Sequence, residues 1–65
     1  MDNSETVAVE LTWSDLTILI GGGWEAVFEL GDAEFAIRVG RTAAEARALL
    51  DRLSEIRRSL ERPST

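Results

Sequence analysis

The chain contains no cysteine, no histidine, no lysine and no tyrosine, and it has a single proline, two tryptophans and two phenylalanines. Without cysteine there is no disulfide and no thiolate metal site. Without histidine the commonest metal ligand and the commonest general base are both missing. A nucleophile needs a base beside it, and here no His, Cys or Lys can supply one. A pair of carboxylates is the one catalytic device left, but a chain of 65 residues has little room for a substrate cleft. No Asp-x-Asp calcium loop occurs. These absences predict a protein that is not an enzyme and holds no cofactor or metal.

Two further absences concern membranes and charge. No apolar run approaches the ~20 residues of a membrane span, and the acidic start "MDNSETVAVE" lacks the basic stretch of a secretory signal. A soluble protein in the cytoplasm of a bacterial host cell is expected. An all-arginine basic set, with the stretch "RTAAEARALL", points to a GC-rich bacterial or bacteriophage gene. No basic residue precedes Arg38. Residues 1–37 carry eight carboxylates and no cation, while residues 38–65 carry seven arginines against four carboxylates. The net charge of −5 therefore conceals an acidic half and a mildly basic half, a statement about partners.

The length fits one domain, residues 1–65. A domain this small buries only roughly 60% of its unfolded surface, and with no disulfide available, self-association or a partner is the expected source of added stability. Residues 1–5 read as a flexible start and 63–65 as a tail.

The clearest element is a helix over 42–62. Thr42 and Glu45 have capping-box spacing, strong helix formers follow, and Pro63 closes the pattern. Ala46, Leu49, Leu53, Ile56 and Leu60 recur at alternating steps of three and four, with Leu50 at the flank, forming the stripe expected to face a core.

Upstream the apolar residues follow a period of two, which predicts an antiparallel sheet over 6–39. "WEAVFELGDAEFAIRV" divides at Gly31-Asp32, a two-residue hairpin turn. That register sets Phe28 opposite Phe35 and Trp24 opposite Val39, with Glu29 beside Glu34 on the other face. A turn at Ser14-Asp15 sets Leu11 opposite Ile18. Gly21, Gly22 and Gly23 then raise a choice. A phosphate cradle needs a helix N-terminus or a lysine next to the glycines, but Trp24 and Glu25 follow, so a chain reversal is the expected role. With it, all four apolar faces align. The predicted fold is α+β, a four-stranded antiparallel β-meander with one long C-terminal α-helix packed across one face.

Such a sheet is nearly 20 Å wide at ~4.8 Å per strand, against about 10 Å for one helix. Part of its apolar face stays open, with Trp13 and Trp24 as the candidate self-association residues. The opposite face collects Glu10, Glu25, Glu29 and Glu34, with Asp15 and Asp32 at the turns. That display suits either a solvated face kept acidic for solubility or a platform for a basic protein surface. Arg41, Arg47, Arg52, Arg57, Arg58 and Arg62 spread around the helix among carboxylates and form no clean basic stripe, so direct nucleic-acid binding is not expected.

In size, acidity and lack of catalytic residues the chain resembles the small phage-borne inhibitors known as anti-CRISPR proteins, several of which act as nucleic-acid mimics. The likeness is one of type across the whole chain and rests on no shared motif. It implies an inhibitor whose acidic face occupies a basic, nucleic-acid-binding groove. A homodimeric adaptor or an antitoxin-like protein shares the same features.

Overall fold

The computed structural model describes residues 4–61, and among them the chain is an antiparallel pair of helices with no strand. An irregular segment leads into α1 (Trp13–Val39), and a short connection leads on to α2 (Ala43–Glu61). The expected tail at 63–65, Arg62, Pro63 and most of the expected flexible start lie outside the described residues.

The β-meander is therefore corrected to helix. Residues 6–12 form no regular secondary structure, and the span expected to hold three further strands is α1. The local cause is visible at Thr12. Its hydroxyl accepts from the Asp15 backbone N–H at 3.0 Å, and the Asp15 carboxylate accepts from the Thr12 N–H at 2.9 Å. This capping box satisfies helix donors that would otherwise be orphaned, and it occupies the position read as a Ser14-Asp15 turn. Beyond it Leu16, Ile20 and Val27 are buried at steps of four and seven, one face of a helix. Apolar residues stand at both odd and even positions here, so a helical phase and a strand phase both fit, and the capped helix is the phase adopted.

Gly21, Gly22 and Gly23 lie inside α1 and make no reversal. Three helical glycines cost about 3 kcal/mol relative to alanine. One of them has a packing reason: a Cβ at Gly23 would run into the Leu50 side chain of α2, whereas at Gly21 and Gly22 it would meet nothing within 4 Å. The expected hairpin turn at Gly31 is instead a break in α1, with φ 76° and ψ 167°, a region essentially restricted to glycine. The helix resumes after it and ends at Gly40, whose left-handed conformation closes the last turn through an N–H bond to the Ala36 carbonyl at 3.0 Å.

At α2 the Thr42–Glu45 capping box is formed, each backbone N–H donating to the other side chain at 3.1 Å. The Thr42 N–H, then the Thr42 hydroxyl, and the nearby Arg41 hold the Glu45 carboxyl below its ordinary range, with burial opposing slightly. The face that α2 turns to α1 is shifted from the expected stripe toward its Leu50 flank, with Ala46 retained. Ala43 and Leu50 are buried with Val27 and Phe35 of α1, and Trp24, Ala26, Leu30 and Ala46 pack partly buried around them. At the far end Arg57 donates to the Thr17 hydroxyl at 3.2 Å and lies 5.6 Å from the Trp13 ring centroid, tying the start of α1 to the later half of α2.

Candidate interaction surfaces

The six acidic residues expected on one sheet face do not share a face in the helical fold. Glu10 is exposed in the irregular segment before α1. Asp15 is spent on the α1 cap. Asp32 stands 3.6 Å from Arg47 of α2, and Glu34 pairs with Arg38 one turn on at 2.6 Å. Both pairs are solvent-exposed and contribute little stability, but they neutralise the carboxylates locally.

Glu25 and Glu29 are different. They lie one turn apart on α1, exposed, and neither has a cationic partner among the described residues. Phe28 projects beside them and is 78% exposed, its ring stacked on Trp24 at 5.8 Å between centroids. Gly21 and Gly22 extend the same outward side with bare backbone, and exposed Ile18 precedes them. The outcome is a patch of aromatic and aliphatic surface with two uncompensated negative charges.

Trp13 and Trp24 are not the open edge of a sheet. Trp24 is half-buried against the core cluster, and Trp13 lies beneath Arg57. Sequence reasoning passed over Phe28, because the strand register paired it with Phe35 inside the core. A helical wheel places the two apart: Val27 takes the buried position and Phe28 points outward.

Five of the six described arginines have partners within the chain, Arg38 among them. Arg41, Arg47 and Arg58 stand within 4.0 Å of carboxylates, and Arg57 binds Thr17. A second apolar surface lies on α2, where Leu49, Ile56 and Leu60 are exposed although the stripe they belong to was expected to face the core. Among the described residues no helix is long and apolar enough to cross a membrane. No protein-family model, no curated protein and no solved structure matches the chain.

Proposed function

We propose that the chain is a non-enzymatic protein-interaction module. In this reading it is a small acidic inhibitor of the anti-CRISPR type, working in the cytoplasm of a bacterial host cell. It presents the outward side of α1 to a basic, nucleic-acid-binding surface of its target. The observation that carries the reading is Phe28, exposed beside Glu25 and Glu29, which have no cationic partner among the described residues. An exposed aromatic anchor supplies contact energy, and unpaired carboxylates supply steering toward arginines and lysines. The acidic surface is smaller than a sheet face would have made it, since Asp15, Asp32 and Glu34 are engaged within the chain.

The test uses guide-loaded CRISPR effector complexes as immobilised probes. The chain is expected to compete with target DNA, with affinity falling steeply as salt rises. The double reversal Glu25→Lys/Glu29→Lys should weaken binding by roughly a hundredfold, and Phe28→Ala by roughly thirtyfold, about 2 kcal/mol. Both variants should keep the parent helical signal. Binding indifferent to salt and to the charge reversal would overturn the reading.

A further inference from the structure

The molecule measures 45 × 29 × 15 Å along its principal axes. Its least dimension is close to the ~10–12 Å diameter of a helix, so no further element lies above or below the α1–α2 pair. The two helices bury one face of each against the other, and nothing in the chain covers the apolar surface on their remaining faces. The exposed surface agrees. The chain exposes 5395 Å², whereas a folded monomer of 7.2 kDa is expected to expose about 4,100 Å². The excess of about 1,300 Å² is shared between the exposed N-terminal segment and the helix faces, and it leaves room for the ~800 Å² that each partner buries in an interface of standard size.

α2 carries the surface on which a second layer fits. Ala46, Leu49, Leu53, Ile56 and Leu60 follow one another at steps of three, four, three and four, a heptad seam. Packing within the chain does not use it up. α2 meets α1 through Ala43, Ala46, Leu50 and Arg57, with Arg47 paired to Asp32, so of the seam only Ala46 is engaged in the core cluster. Leu49, Ile56 and Leu60 are left 47%, 51% and 55% exposed. Beside them Val7, Val9 and Leu11 wall a groove of about 440 Å³ against Leu53, Ile56 and Leu60, and every residue lining it is apolar.

We infer that a second copy of this chain covers this face, with α2 packed antiparallel on α2 of the partner. A two-fold axis makes one apolar stripe its own complement, and the seam holds no polar position that would select a different helix. Charge sets the direction. A parallel pairing sets Arg52 against Arg57 of the partner subunit, a like-charge contact at the flanking positions. An antiparallel register that stacks Leu53 on Ile56 of the partner subunit, and Leu49 on Leu60 of the partner subunit, sets Arg52 opposite Ser59 of the partner subunit. The interface shares no residue with the Glu25–Phe28–Glu29 patch, so the two readings fail separately.

Light scattering of the full chain at about 0.1 mM should give twice 7.2 kDa, and the melting temperature should rise with concentration. Ile56→Asp places a charge at the seam and should raise the dissociation constant roughly a hundredfold or more. Because the chain has no cysteine, introduced thiols report alone. An oxidised mixture of Leu49→Cys and Leu60→Cys chains should form a covalent dimer that neither variant forms by itself. That readout decides the matter if Ile56→Asp fails to fold. A single-chain mass at 0.1 mM, a doubled mass untouched by Ile56→Asp, or Leu49→Cys cross-linking to itself in preference to Leu60→Cys would each overturn the inference.

Discussion

Phe35→Ala is expected to leave the chain unfolded at 25 °C, while Phe28→Ala leaves it folded. Phe35 is 4% exposed and packs with Val27, Ala43 and Leu50. Removing a buried phenylalanine costs about 3–5 kcal/mol, and a core of this size rarely supplies more than about 3–5 kcal/mol in total. The position has a second task. Phe35 belongs to the helical segment after the Gly31 break, so its ring is what holds that segment against α2. Phe28 projects into solvent apart from its stack on Trp24, and its truncation should cost about 1 kcal/mol at most. Helical ellipticity during urea titration checks both. The contrast matters more than either value, because a strand register that pairs Phe28 with Phe35 buries both rings and predicts similar losses. A cooperative transition in Phe35→Ala within about 1 kcal/mol of the parent would show that this cluster is not the core.

The second large effect is a change of sign within the glycine triplet. In a helix interior, alanine is favoured over glycine by about 0.8–1.0 kcal/mol. At Gly21 and Gly22 the added methyl meets nothing within 4 Å, so Gly21→Ala and Gly22→Ala should each stabilise by nearly that amount. At Gly23 the same methyl collides with the side chain of buried Leu50. Overpacking a filled site costs about 1–3 kcal/mol, so Gly23→Ala should destabilise despite its better propensity. Truncating Leu50 to alanine clears that space. The double variant should therefore lose less than the two single losses combined, a coupling between neighbours in contact. Chemical denaturation of the four variants measures it. Three substitutions with the same sign would show that Gly23 does not face α2.

Much of α2 was legible in the sequence, because local signals and apolar period agree there: a capping box, strong helix formers and a stripe at steps of three and four. Which stripe meets α1 was not legible. Ala43 and Leu50 sit next to the longer heptad series, and only the partner helix decides between them. α1 was misread for a physical reason. Leu16, Ile20, Gly23, Val27 and Leu30 have helical spacing, but Ile18, Trp24, Phe28, Phe35 and Ile37 supply an equally consistent alternation, and three glycines look like punctuation. The Thr12–Asp15 capping box is the signal that separates the two phases, and it is present in "TWSD". For the candidate site, the identity of the acidic residues was legible and their grouping was not. Alternation gathered six carboxylates on a face that the helix disperses, leaving Glu25 and Glu29 together.

The proposed target-binding surface depends on residues 13–30 being helical, since that is what turns Gly23 inward and sets Phe28 outward beside Glu25 and Glu29. The direct measurement is backbone NMR of the full chain: Cα shifts and amide–amide contacts through Gly21, Gly22 and Gly23. The helical account predicts downfield Cα shifts and an unbroken series of sequential amide–amide contacts from Trp13 to Leu30. Upfield Cα shifts, with cross-strand contacts between Phe28 and Phe35, would contradict it.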